Sequence, residues 1–172
     1  MVKKKNFSDN SKSTDFVNSL PESTIETSKI EKRCKFNLSY FDGAQTAGQD
    51  FSGWSYNSGN ASLTNLLAKF KEYTLQPLNY WKNQRVGGGG LKVLEYYGDF
   101  PDNSDFKHPK HVPADAHWAR FRLGNKVRLV GFVISKDALK NMPEEEQEKF
   151  CHNTFYVVFL DKDHKFYKTE TA

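Results

Sequence analysis

Cysteine is scarce in this 172-residue chain: Cys34 and Cys151 stand far apart, and neither has a second cysteine at metal-ligand spacing. That removes a cysteine-built zinc site and a disulfide scaffold. A reduced, cytoplasmic setting is the simpler expectation, with one disulfide as the alternative. No apolar run approaches the ~18 residues of a membrane span. The basic start "MVKKKNFSDN" has no apolar stretch after it, so no secretory signal is expected. The glycine run "VGGGGLK" lacks the phosphate-loop pattern G-x-x-x-x-G-K-[ST], and reads as a flexible link. Neither sign of charge dominates: net charge is +4 and pI about 8.9, which permits a polyanionic partner without requiring one. Apolar residues make up only 37% and mean hydropathy is −0.74, but aromatic residues reach 15%, and each can bury a large area.

What is present has a clear order. Residues 1–32 are rich in Ser, Thr, Lys, Asp and Glu, too polar to offset the entropy of ordering, and are expected to form a disordered arm. Residues 33–172 then form a single domain. Phe36, Leu38 and Tyr40 alternate with polar residues, the period of a half-buried strand. "DGAQTAGQDFSGWSYNSGN" reads as a loop pinned by Phe51 and Trp54. Leu63, Leu66, Leu67, Phe70 and Tyr73 mark one face of a helix capped by Asn60 or Ser62. Pro77 breaks it or opens a second short helix carrying Leu78 and Trp81. After the short strand "LKVLEYY" and an irregular connection comes "WARFRLGNKVRLVGFVI", a hairpin turning at Gly124–Asn125. "SKDALKNMPEEEQEKFCHN" is a helical insert with Pro143 at its first position and Glu144–Glu146 at the positive end of its dipole. "TFYVVFL" is a last strand, apolar on both faces. The fold class is α+β, a mainly antiparallel sheet with helices packed on one face.

Basic groups cluster late in the chain. Arg120 and Arg122 share one strand face, Lys126 sits at the turn, Arg128 lies on the returning strand, and Lys162, His164 and Lys165 follow the last strand. If that strand pairs beside Arg128, these groups converge, and arginine forks match phosphate oxygens. His108, His111 and His117, with Asp105 and Asp115, fit no strong zinc spacing, so scattered loop histidines are the better reading. Gln45, Gln49 and Trp54 in the long loop are candidates for recognition, with Trp54 the better candidate for a packing anchor.

Residues 117–167, "HWARFRLGNKVRLVGFVI…FYVVFLDKDHKFY", resemble the C-terminal half of the RelE/YoeB-type ribonuclease toxins of bacterial toxin–antitoxin systems. Trp118, Arg120 and Arg122 match the family's basic strand, Arg128, Leu129 and Val130 its next strand, and His164 and Tyr167 its ending. The resemblance implies a RelE-like fold, with the helices near 62–84 packed on the sheet. It implies an endoribonuclease, an mRNA interferase, that cleaves without metal or cofactor by 2′-hydroxyl attack on the adjacent phosphate. In that reading Arg128 stabilises the phosphate's charge, assisted by Arg122. His164 donates a proton or contacts phosphate, and Tyr167 stacks on a base or positions the 2′-hydroxyl. Arg120, Lys126, Lys162, Lys165 and His117 bind RNA. Glu95 and Asp115 are the candidates for the base. The implied partners are RNA, ribosome-bound mRNA included, and a cognate antitoxin protein, with no membrane. A non-catalytic nucleic-acid- or protein-binding module is the alternative, and a metal-dependent nuclease a distant third.

Overall fold

The computed structural model describes residues 11–56, 58–87 and 89–168. Contacts divide the chain into two units, Met1–Ile30 and Glu31–Ala172. In the first, residues 1–10 of the expected arm lie outside the described residues, and Ser11–Ser19 forms helix α1 where no element was predicted. A helix satisfies its backbone locally, so a polar segment can form one without a core.

The second unit is an α+β domain. Strand β1 (Lys35–Asn37) is followed by helices α2 (Phe51–Ser55), α3 (Leu63–Tyr73) and α4 (Leu78–Asn83). Next come strands β2 (Arg85–Val86), β3 (Leu91–Lys92), β4 (Leu94–Gly98), β5 (His117–Arg122) and β6 (Arg128–Val133), helix α5 (Glu144–Gln147) and strand β7 (Thr154–Asp161). The main sheet runs β1-β7-β6-β5-β4, and β2 and β3 form a separate ribbon. The sheet is mixed: β1 lies parallel to β7, and the other neighbours are antiparallel.

Several expectations are corrected. β1 stops at Asn37, whose side chain accepts from the Ser39 N–H and turns the chain away, so Leu38 and Tyr40 leave the strand. Instead of a flexible link, Gly87, Gly89 and Gly90 lie in the connection between β2 and β3, with Gly87 and Gly90 at positive φ. The long loop contains α2, capped by Asp50, whose carboxylate accepts from the Gly53 N–H at 2.6 Å. The β5–β6 turn holds three residues, because Leu123 still pairs through its N–H with the Val127 carbonyl. The insert is mostly irregular. Pro143 sits one position earlier than expected, as the N-cap of the four-residue α5.

The register explains how the sheet buries both faces. Ala119, Phe121, Leu129 and Phe155 meet Leu66, Tyr73, Leu78 and Trp81 of α3 and α4. Trp118, Val130, Phe132, Val158 and Phe159 point the other way, under Phe106, Val112 and Phe166 from irregular segments. Each such buried large side chain contributes about 1.5–3 kcal/mol. A bulge in β7 lets Val158 and Phe159 both join the second layer. Val130 pairs with Phe159 and Gly131 with Val157, so Val158 is the extra residue. Its carbonyl accepts from the Asp42 N–H at 2.8 Å, tying the long loop to the sheet.

Candidate functional site

The second face changes character toward the β5–β6 turn. Past Trp118 and Val130, its next positions are Arg120, Arg122 and Arg128. A groove of about 490 Å³ opens there, lined by Leu91, Glu95, Tyr97, Arg120, Arg122, Asn125, Arg128, His164 and Tyr167. Strand register puts these groups together: Glu95 pairs with Arg120, Arg122 with Arg128, and Arg128 with Asp161.

The arginines are not solvated surface groups. Arg120 is 7% exposed and Arg128 3%. Arg120 donates from Nη2 to Glu95 Oε2 at 2.5 Å and from Nε to the Tyr97 hydroxyl at 2.6 Å. Arg122 donates to the Asn125 carbonyl at 3.0 Å, and Arg128 to the Gly124 and Val127 carbonyls, both at 2.9 Å. The turn is thus stapled by the two arginines that flank it. Two buried donors of these arginines are left over: Arg120 Nη1 and Arg128 Nε have no partner among the described residues. A buried unmet guanidinium N–H is costly, and both nitrogens belong to residues that line the groove.

Like charges facing across strands repel. Burial, then Arg120 and Arg122, lower Arg128 to about 10, so it is still charged at neutral pH. Arg122 is lowered by the same causes, burial first and then Arg120. Burial, then Arg128 and Arg120, lower His164 from its ordinary 6.5. Burial raises the Tyr97 phenol.

His164 is held there by Asp161. This carboxylate is fully buried and accepts from the N–H groups of Asp163 at 3.2 Å, Lys165 at 3.0 Å and Phe166 at 3.0 Å. The loop is thereby folded tightly enough that His164 takes φ 61°, the left-handed region unusual for a side-chain-bearing residue. Tyr167 then stacks on Tyr97, with ring centroids 4.9 Å apart and planes 10° apart, and stays partly exposed.

Of the sequence-derived candidates, Arg120, Arg122, Arg128, His164 and Tyr167 line the groove. Lys126 is exposed at the turn, outside the groove lining. Lys162 hangs its backbone N–H on Gln49 Oε1, and Lys165 Nζ faces Asp163 at 3.8 Å. His117 points to the helix side and meets the Tyr96 ring edge-on at 5.5 Å, away from the arginines. Of the two candidate bases, Glu95 lines the groove and Asp115 a separate apolar cavity beside Leu139. Gln45 and Gln49 are engaged within the chain, with Lys107 and Lys162, and Trp54 is a core residue. His108 and His111 bond backbone carbonyls of Pro109 and Tyr40. Among the described residues no group of three His, Cys, Asp or Glu could hold a metal ion. None of their helices is long and apolar enough to cross a membrane.

Sequence reasoning missed Tyr97, Leu91, Asn125 and the anchoring role of Asp161. Tyr97 carried a signal, since it alternates with Glu95 in "LEYYG", but only the pairing to β5 reveals that both meet Arg120. Comparison with protein-family models, curated proteins and solved structures finds no match to this chain.

Proposed function

We propose that the groove binds and cleaves RNA as a metal-independent endoribonuclease of RelE-like type. The observation that carries this reading is the convergence of Arg120, Arg122 and Arg128 with Glu95 and His164 on one groove. Guanidinium forks on converging cations suit the non-bridging oxygens of a phosphodiester. Three arginines against one groove-facing carboxylate favour an anion over a divalent cation. Further support comes from the helices packed on the sheet and from the ending in which His164 and Tyr167 line one groove with Arg128.

In this chemistry the Glu95 carboxylate takes the proton of the 2′-hydroxyl, and the 2′-oxygen bonds to phosphorus. The bond from phosphorus to the 5′-oxygen breaks, and His164 as imidazolium gives that oxygen its proton. Arg128 and Arg120 hold the charge that develops on the phosphorane, and Arg122 reinforces them. The products are a 2′,3′-cyclic phosphate and a free 5′-hydroxyl. The partly exposed Tyr167 takes a base by stacking. Messenger RNA, ribosome-bound or free, is the proposed substrate, in the cytoplasm, and a cognate antitoxin the proposed protein partner.

The test is incubation of the protein with RNA in EDTA and end-group analysis of the products. Cyclic-phosphate ends are expected, with a loss of about 10²-fold or more in Arg128→Ala, Glu95→Gln and His164→Ala. Full activity in both Arg128→Ala and His164→Ala would remove the groove from the chemistry. A second reading, binding without cleavage, is favoured by the lowered pKa of His164, which disfavours the imidazolium that would donate the proton. Salt-sensitive RNA binding with no product at any pH between about 5 and 8 would establish it.

A further inference from the structure

A second cavity of about 450 Å³ adjoins the groove, and the two share Leu91, Arg122 and Asn125 as a common wall. Its character is opposite. The floor is apolar and buried, made by Tyr73, Trp81, Val93 and Leu123, and Glu72 stands on its rim beside Lys69. We propose that this cavity seats a guanine base of the RNA whose phosphate lies in the groove, with Glu72 reading the base. The inference rests on the RNA reading above and adds a specificity site to it.

The volume lies within the ~300–1,000 Å³ of small-ligand sites. An aromatic and aliphatic floor suits a base, and the wall shared with the groove at Leu91, Arg122 and Asn125 sets the cavity next to the phosphate site. The rim selects which base. A carboxylate only accepts hydrogen bonds. The Watson–Crick edge of guanine offers two adjacent donors, the ring N–H and the amino group, which match the two carboxylate oxygens. Uracil offers one N–H between two carbonyls. Adenine and cytosine set an acceptor nitrogen beside the amino group, which would oppose a carboxylate oxygen. Glu72 can turn toward a base, because its bond to Lys69 Nζ at 2.7 Å is a half-exposed i,i+3 pair, weak and easily exchanged.

Binding of the four 3′-nucleotides, measured by calorimetry, tests this apart from cleavage. The 3′-guanylate is expected to bind about tenfold or more tightly than the 3′-uridylate, the discrimination one bidentate pair provides. Glu72→Gln should bring that ratio toward one. Val86→Trp, on an exposed ribbon position that lines the cavity but not the groove, should remove the preference while inorganic phosphate still binds. Equal binding of all four nucleotides, or a preference that survives both substitutions, overturns the guanine site alone if phosphate binds and RNA is cut. Absence of both phosphate binding and cleavage overturns the RNA reading and this inference with it.

Discussion

Asp161 joins the groove to the core. Sealed from water, it accepts from three backbone N–H groups and fixes the loop that carries His164. Asparagine would keep the shape but present an amide donor to groups that are themselves donors. Asp161→Asn should therefore lose about 2–4 kcal/mol in urea unfolding. It should also release the His164 ring, seen as a shift of its NMR resonances toward free-imidazole values. Unchanged stability would mean that the carboxylate does not organise the loop. His164 itself makes a pH prediction. Burial, then Arg128 and Arg120, lower its pKa, so folding favours the neutral ring. The stability tied to this group is complete above its ordinary value of 6.5 and is lost as pH falls through the lowered folded value. Catalysis runs the other way, because proton donation needs imidazolium. The basic limb of kcat/KM should lie below pH 6.5, and the limb of kcat should lie higher, since bound phosphate offsets the arginines. The residual activity of His164→Gln should lack that limb, and a limb shared by wild type and variant would assign the acid elsewhere.

Elements decide where those residues meet, and one element depends on a single missing methyl group. Gly131, in the middle of β6, faces the bulge of β7, and a Cβ there would fall 2.0 Å from the Tyr156 carbonyl oxygen. Neighbouring backbone cannot yield in a central strand. Gly131→Ala should cost about 4 kcal/mol or more by urea unfolding, whereas a loss under about 1 kcal/mol would show that the bulge is plastic. The bulge also sets Asp161 opposite Arg128, and this was not legible in the sequence, since nothing in "TFYVVFL" marks which residue goes unpaired. The hairpin, the capped helix α3 and the short α4 were legible, because alternation, a cap and a proline are local signals. The convergence of Arg120, Arg122 and Arg128 could be read from alternation once the hairpin was recognised. His164 joined them only on the assumption that β7 pairs beside β6. The β2–β3 ribbon, α2, and the parallel placement of β1 were not legible, because each is fixed by partners distant in sequence or by a side chain capping a loop. Burial of Arg120 and Arg128 was hidden too: their charge suggested an open face, while the segments that cover them carry no periodic pattern.

At the scale of the whole molecule, a modest net charge of +4 conceals a strongly cationic spot. Three arginines and a depressed histidine share one groove, two of the guanidinium donors have no partner among the described residues, and the nearest carboxylates are Glu95, already paired, and the buried Asp161. The fold holds this repulsion at some cost in stability, and an anion relieves it. Inorganic phosphate should therefore raise the melting temperature, by about 2.7 kcal/mol of stabilisation once its concentration reaches ~100 times Kd. Arg128→Met should abolish that gain while leaving the unliganded protein close to wild-type stability, since it removes both a repulsive charge and its bonds to the turn. Single-stranded RNA should follow the same electrostatics. If Arg120, Arg122 and Arg128 are the phosphate contacts, log Kobs should fall against log salt with a slope of about −2, and Arg122→Gln should reduce it by about 0.7. A slope near zero, with no thermal response to phosphate, would mean that the three arginines do not form an anion site.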